Sequence, residues 1–585
     1  MTVTTTETTA HSPSFLRQYF FSTDHKIIGI QYWLTGGLMG ILGAFLAGLI
    51  RLQLTWPAAQ WSLLAKVFPV GMEGGVMKPE FYISLVTMHG TIMIFFFVSL
   101  TLVSGFGNYL IPLQLGARDM AFPFLNMLSY WIIVPAILVA AASFFVEGGA
   151  AGSGWTAYPP LSAIPEAAPG SGLGQTLWLL AVALFIASFT MGGLNYVTTI
   201  LNLRTRGMSL MRMPLTIWSF LIAAVIGLLA FPALTAAAIM LLFDRHLGTS
   251  FYLPEGLYVA GQLLPNGGGS PLLWQHLFWF LGHPEVYVLI LPALGVTFDV
   301  LVPFTRRPAF GYKVTVFCLL IIAFLSMVVW GHHMFVSGMN PLIGEFFSIG
   351  TLLITIPSTI IGVNMIATLW GGKLRLTSAG MFALGTICFF GVGGLGGVFL
   401  GNAAADIQLH DTAFVVGHFH FMIGGVTLLA IFAGSYFWFP KMFGKKLSET
   451  LGKIHFWLTV VPFYGIFVTM HFYGLAGAPR RYYSLSQYGF LDDVAWMPLV
   501  MSTFAFAMMA GQVLFVVNVI KSLWRGDAAE ENPWEATTLE WAAPSPPPHG
   551  NWGDAVPVVH RGAYDYRATL GGPDFVPQTT PRKGG

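Results

Sequence analysis

About twelve apolar runs divide this chain, and they constrain its fold more than anything else in the sequence. They begin near Ile27, Ser84, Leu125, Gln175, Leu215, Leu272, Val314, Gly344, Met381, Thr412, Phe456 and Met497. Each approaches the ~20 residues that a helix rising ~1.5 Å per residue needs to cross a bilayer. In hydrocarbon every backbone N–H and C=O must be bonded within the protein, so runs of this length are restricted to helices. The composition agrees, with 55% hydrophobic and only 9% charged residues and a mean hydropathy of +0.71, far from soluble domains. The expected fold class is all-α: a polytopic membrane protein, a bundle of about twelve transmembrane helices in contact with membrane lipid.

Charge between the runs sets the expected orientation. Alternate loops carry Arg17 and Lys26, then Arg118, then Arg204, Arg206 and Arg212, then Arg306, Arg307 and Lys313. The same side continues with Lys373 and Arg375, then Lys441, Lys445, Lys446 and Lys453, and then Lys521 and Arg525. The intervening loops are Gly- and Pro-rich and lean acidic or neutral, with Glu147, Glu166 and Asp406. The positive-inside rule places both termini in the cytoplasm, in a bacterial-type cell inner membrane. Residues 1–26 read as a cytoplasmic N-terminal tail and 27–523 as one integral twelve-helix domain. Residues 524–585, with Pro544, Pro546, Pro547 and Pro548, read as a cytoplasmic Pro-rich tail expected to run extended on the surface. A formal net charge of +2 argues against nucleic acid as a partner. The two cysteines, Cys318 and Cys388, lie far apart in apolar runs and suggest neither a disulfide nor a thiolate metal site, so any thiolate-ligated copper belongs on another chain.

Against this apolar background the ionisable residues stand out. His283, Glu285 and Tyr287 lie well inside the run from Leu272 to Val302, and intramembrane ionisable groups are candidates for ion pathways, ligands or redox chemistry. His283 and Tyr287, four apart, share a helical face, and Glu285 points elsewhere. His418 and His420, two apart, face opposite sides of one helix and must serve two different centres. A helix wedged between two haems fits that geometry, with one axial imidazole for each. His89 in the second run is the isolated candidate for completing a six-coordinate haem. His332 and His333 then remain with His283 as three imidazoles for copper or another transition ion.

These residues sit in recognisable motifs: Ser22-Thr-Asp-His-Lys26, Gly116 to Pro123, Trp274 to Tyr287, Trp330-Gly-His-His-Met-Phe335 and His410-Asp-Thr-Ala-Phe-Val-Val-Gly-His-Phe-His420. In order and spacing they resemble subunit I of the haem-copper oxygen reductases, the cytochrome c oxidase type with an aa3 haem pair. The resemblance implies two haems, low-spin and high-spin and of the haem a type, together with copper B and an Mg site at the subunit interface. It implies His89 and His420 as the low-spin axial pair and His418 as the high-spin proximal ligand. It further implies His283, His332 and His333 as copper B ligands, and Tyr287 as a tyrosine cross-linked to His283. Arg480 and Arg481 would meet haem propionates, and His410 and Asp411 would bound the Mg-bearing exit region. The implied partners are a subunit II with dinuclear copper, a subunit III and cytochrome c as electron donor, with O2 reduced to water and protons pumped.

The same resemblance implies a proton route from Asp119 past Asn108 and Asn126 to Glu285. Arg118 stands where that family usually has proline. A second expected route is broken, because Ile361 occupies the position of its lysine and Phe298 that of a small hydroxyl residue, with Asp299 beside it. Ser358 keeps the neighbouring hydroxyl. The expectation is that Asp119 and Glu285 carry nearly all proton uptake, the alternative being a water chain past Ser358. Glu345 reads as a solvated loop residue on the outer side, and His455 and His471 as structural. The departures leave two rival readings, a nitric oxide reductase relative and a haem-free secondary transporter; Tyr287 weighs against the first.

Overall fold

The computed structural model describes residues 14–259, 261–265, 267–553, 555–566 and 572–582. Among these, eleven helices are long and apolar enough to cross a membrane. In chain order they are α1 (His25–Thr55), α2 (Pro79–Leu115), α3 (Pro123–Phe145), α4 (Leu173–Asn202), α5 (Leu215–His246) and α6 (Pro271–Thr305). After α7 (Tyr312–Ser326) follow α8 (Pro341–Leu369), α9 (Ser378–Gly401), α10 (Ala413–Phe443), α11 (Glu449–Leu475) and α12 (Met497–Arg525). The run expected from Val314 is the exception. Its helix has 15 residues, about 22 Å at ~1.5 Å each, and ends before a short 3-10 turn, Trp330–Met334, that carries His332 and His333. The backbone leaves the regular helix where two adjacent side chains are to meet one centre.

Helix starts follow the sequence. Asp24, Ser270, Asn340, Thr377, Thr412 and Ser448 each accept a backbone N–H of the first turn with their side chains, as N-cap residues do. Two helices depart from α winding near histidines: α2 is π-wound over Ile92–Phe106, and α10 over His420–Val426. Such widening accompanies functional sites in other proteins.

Burial ranks the helices. In the most apolar window of α6, 89% of the residues are buried, against 22% for α12 and 28% for α3 and α8. The helix richest in ionisable groups is therefore the central one. On α8 an exposed apolar stripe of Leu342, Phe346, Ile349, Leu353, Ile356 and Val363 faces outward, at the spacing of one helical face. Glu345 is exposed on the first turns of this helix rather than in a loop.

The C-terminal tail differs from the expected surface segment. Beyond a 3-10 turn at Leu539–Ala542 it has little regular structure, yet Leu539, Glu540, Trp541, Asn551, Val559 and Tyr566 are buried. It lies across the helix ends on the side of the termini. The Asn551 side chain bonds the His25 ring at 2.9–3.1 Å, the Lys26 ammonium at 2.9 Å and the Ala117 carbonyl at 3.0 Å. The Lys441 ammonium donates to the Ala543 carbonyl at 2.6 Å, and Arg306 pairs with Glu535 and Asp574. Helix ends leave orphan polar groups, and a polar, Pro-rich strap satisfies them where an apolar one would not. Asn551→Ala strands these partners at a cost of about 1–3 kcal/mol. The expected outcome is a lower thermal midpoint of the purified protein and faster protease cleavage of the tail; an unchanged cleavage rate would show that the tail is held elsewhere.

Candidate functional site

Each of three histidines hands one ring nitrogen to a backbone carbonyl. His89 Nδ1 lies 2.9 Å from the Gly43 carbonyl on α1, His418 Nδ1 2.8 Å from the Gly393 carbonyl on α9, and His420 Nδ1 2.8 Å from the Val416 carbonyl in its own helix. A carbonyl only accepts, so Nδ1 carries the proton and Nε2 keeps its lone pair for a metal. The α1–α2 contact at Gly43 is close: a Cβ there would sit 2.5 Å from the Met93 sulfur.

The His89 and His420 rings are nearly parallel, at 13°, with centroids 6.4 Å apart. Two metal–imidazole bonds of about 2 Å, with each donor nitrogen about 1 Å from its ring centre, span about 6 Å, so the pair fits a single iron between the rings. His420 is stacked on Phe467 at 4.3 Å. His418 faces α9, where a Cβ on Gly396 or Gly397 would lie 3.1 or 3.0 Å from its ring, while Gly391 and Gly394 have open space around them. The glycines Gly396 and Gly397 thus let α9 pack directly against the His418 ring, a signal the sequence reading passed over.

His283, His332 and His333 offer ligand atoms all within 4.8 Å of one another, the one such group of three or more among the described residues. The three ring centroids are 4.3–5.5 Å apart. His332 Nδ1 is held by the Thr351 hydroxyl at 2.8 Å, and His333 stacks on Trp279 at 3.8 Å and 8°. Three converging imidazoles without a carboxylate suit copper or zinc better than a hard ion. The Tyr287 ring stands 4.8 Å from that of His283. Glu285 leaves the opposite face, where its Oε1 accepts from the Ser99 hydroxyl at 3.4 Å and its buried Oε2 has no partner.

Above the histidines, Arg480 is bonded to Asp411 through its guanidinium at 3.3 Å and its backbone N–H at 2.7 Å. Burial and the adjacent Arg481 bring the Arg480 guanidinium down to about 10, still charged at neutral pH. Arg480 shares one carboxylate and Arg481 adds a second guanidinium next to it in sequence, which leaves positive charge for further acidic groups, as propionates would supply. His410 Nδ1 is 2.9 Å from Asp406 and its Nε2 4.0 Å from Asp411. Asp411 is shared with Arg480, so an octahedral Mg there would need oxygen ligands from elsewhere.

On the side of the termini, Asp119 Oδ1 accepts the Met120 N–H at 2.7 Å, and burial pushes its carboxyl up to about 6. Arg118 beside it is exposed. A cavity of about 30 Å³ lies between Asp119 and Glu285, lined by Asn108, Tyr32, Ser104, Ser129, Ser188 and Tyr196 among others. Asn126 and Asp119 do not line it. Both side-chain atoms of Asn126 and Oδ1 of Asn108 are buried without partners, as groups awaiting water are. The hydroxyls Ser99, Ser104, Ser129 and Ser188 were missed in the sequence, where single serines in apolar runs look inert. Arg51, buried in α1 and bonded to Ser502 and the Pro498 carbonyl at 2.9 Å, was missed too, although a lone cation in a span is a legible signal. Ile361 and Phe298 are fully buried among apolar groups. His455 bonds Tyr436 and Gln512, and His471 the Phe467 carbonyl.

Comparison with known proteins agrees with this geometry. The family model for cytochrome c and quinol oxidase polypeptide I matches residues 27–509. An alternative cytochrome c oxidase subunit 1 from Bradyrhizobium diazoefficiens is 48% identical over 98% of this chain and 94% of its own. Cytochrome c oxidase subunits 1 from Thermostichus vulcanus and Cereibacter sphaeroides are 40% and 39% identical, covering 94% and 91% of this chain and 92% and 94% of their own. A haem-copper terminal oxidase dimer solved by cryo-EM shares the fold, with a TM-score of 0.66 and 19% identity over 86% of this chain and 85% of that one. Neither the nitric oxide reductase nor the transporter reading is favoured by these matches. The chain belongs to the cytochrome c and quinol oxidase polypeptide I family and is the catalytic subunit of a haem- and copper-bearing terminal oxidase.

Proposed function

We propose that this subunit reduces O2 to water with electrons from cytochrome c, delivered through a subunit II that carries dinuclear copper, in an assembly that also includes a subunit III. The proposed haems are of the a type, the membrane is a bacterial-type inner membrane, and both termini face the cytoplasm. The observation that carries the reading is the division of six imidazoles into a parallel pair, a single ring packed against the glycines of α9, and a converging triad. When bound, the haems and copper B supply electron transfer and the O2-reducing centre.

The chain's own residues hold, orient and feed that centre. His89 and His420 hold the low-spin haem, His418 the high-spin haem, and His283, His332 and His333 copper B. Tyr287, in ring contact with His283, is near enough for the expected cross-link and offers a phenolic proton beside the triad. Arg480 and Arg481 neutralise propionates; His410 and Asp411 are this chain's share of an Mg site. Protons enter at Asp119, pass Asn126, Asn108 and the serine-lined cavity, and reach Glu285. Glu285 is bonded to one hydroxyl and to no cation, the setting of a proton carrier and not of an ion pair.

His89→Leu removes the low-spin spectrum and leaves a carbon-monoxide-reactive haem, read in reduced-minus-oxidised and carbon monoxide difference spectra; loss of the carbon monoxide band instead would reverse the two haem assignments. His333→Ala removes copper and turnover while both haems persist. Metal analysis decides this, and stoichiometric copper in the variant would exclude His333 as a ligand.

Asp119 gives a pH test. The fold raises its carboxyl from 3.8 to about 6, so its protonated form is favoured by folding, with a stabilisation full below 3.8 and lost as pH rises through about 6. Above that pH its proton occupancy falls tenfold per unit. Turnover of the wild type is expected to decline with pH above about 6 through a component that Asp119→Asn lacks. Identical pH profiles in the two proteins would remove Asp119 from the route.

A further inference from the structure

On the side of the termini two buried acids meet that the proposed route does not use. Asp299, on α6, is 3% exposed and Glu540, in the tail, 0%. Gln114, at the end of α2, donates through Nε2 to Asp299 Oδ2 at 3.0 Å and to Glu540 Oε1 at 3.1 Å. Asp299 Oδ1 accepts the Tyr564 phenol of the tail. Glu540 Oε1 also accepts from Trp438 at 3.2 Å and from the Thr538 hydroxyl at 2.9 Å. The remaining atoms, Glu540 Oε2 and Gln114 Oε1, are buried without any partner.

The charged and titratable groups around the pair are few. Lys441 on α10 feels the charge of Glu540, but its ammonium is bonded to the carbonyls of Ala543, Pro544 and Glu531. Tyr564, Tyr312 and Tyr566 are phenols. Among the described residues neither carboxyl touches a cation, so a negative charge on one disfavours a negative charge on the other. Burial raises the Glu540 carboxyl from its ordinary value.

The pair also has an outside and an inside. Thr538 lines a cavity of about 130 Å³ within the tail, with Thr537, Trp541 and Gln578, and the Trp541 indole N–H and Gln578 Oε1 are buried and unpartnered. That volume holds several waters at about 30 Å³ each. On the inner side Thr216 of α5 lies beside Asp299 with its hydroxyl oxygen otherwise unpartnered. Ser219 follows one turn on and packs so close to α6 that a Cβ on Gly295 would meet its hydroxyl at 2.3 Å. One further turn brings Ala223 and Ala224, which line the serine-rich cavity that also contains Asn108 and Ser104.

We propose that Glu540 and Asp299 form a second proton entrance, which takes protons from the tail cavity at Thr538 and delivers them along the α5–α6 seam to the serine-lined cavity. It stands in for the route broken at Ile361 and Phe298, and it rests on the oxidase reading above. A proton arriving from cavity water forms an O–H bond on Glu540, leaving neutral water behind. The Glu540 O–H bond breaks as the proton crosses on water when Gln114, held by the two bonds of its Nε2, swings aside; an O–H bond forms on Asp299 and breaks in turn as the proton moves inward. No other reactant is consumed.

The test uses the whole oxidase complex, with haem and copper content checked in every variant. Glu540→Gln removes a protonated-carboxyl band from reduced-minus-oxidised infrared spectra and slows stopped-flow reduction of the high-spin haem tenfold or more. Asp119→Asn leaves that reduction close to wild type, against the expectation from sequence that Asp119 serves both phases. Thr538→Val keeps both acids and slows the same phase, which a merely structural role of Glu540 would not produce. If Glu540→Gln misassembles, Thr538→Val and Asp299→Asn carry the same test. Reduction at the wild-type rate in the assembled tail variants, or an unchanged carboxyl band, overturns the proposal. The infrared band is read without turnover, so its outcome is separate from whether the wild type consumes O2.

Discussion

An imidazole inside this bundle is committed by the bond its other nitrogen makes. The carbonyls of Gly43, Gly393 and Val416 each accept from Nδ1, and each bond settles tautomer, ring plane and the direction of Nε2 at once. An unbonded polar nitrogen in this interior costs roughly 1–3 kcal/mol, so the carbonyls stabilise the rings in the pose a metal requires before any metal arrives. That requirement propagates outward. The Gly43 carbonyl reaches His89 because α1 packs tightly against α2, and the Gly393 carbonyl reaches His418 because α9 carries glycines where it faces α10. Helix packing and ligand geometry are one constraint here.

The sequence made the bundle and the ligand histidines legible for a single reason: each charged or metal-binding group in a span is costly, so each is conspicuous against apolar neighbours. Helical angle separated His418 from His420, and the resemblance assigned His89, His283, His332 and His333 to the groups that the structure brings together. The two-apart pair His418 and His420 is the clearest case, because 200° of helical rotation forces two centres. The short α7 was harder to see, because hydropathy counts apolar residues and does not register where the backbone leaves the helix.

Other parts were illegible because their meaning is in tertiary contacts. Ser99, Ser104, Ser129 and Ser188 are ordinary serines until three helices place them around one cavity and beside Glu285. The glycines from Gly391 to Gly397 look like a flexible weakness, yet Gly396 and Gly397 are where α9 meets the His418 ring. The Pro-rich tail, polar and without periodicity, has the composition of a surface segment. Its buried Asn551, Glu540 and Tyr566 find their place only against helix ends from α1, α2, α6 and α10, and no local pattern announces such pairings.

The tail and the altered α6–α8 region are linked by charge. A lysine at position 361 would bring a cation into the middle of the bundle, whereas Ile361 packs there with no polar demand. The acid at Asp299 sits three turns of α6 beyond Tyr287, at ~1.5 Å per residue about 18 Å away, and its satisfaction comes from the other direction, through Gln114 and Tyr564. A carboxyl buried that deep without a cation is stable only if donors surround it, and one of its three donors, Tyr564, belongs to the tail. Removing the tail would expose or strand the acid, and removing the acid would leave the Tyr564 hydroxyl proton without its acceptor and Gln114 bonded to Glu540 alone. The tail is thus part of the membrane domain's electrostatics, and a surface strap has become part of the wall around a buried acid.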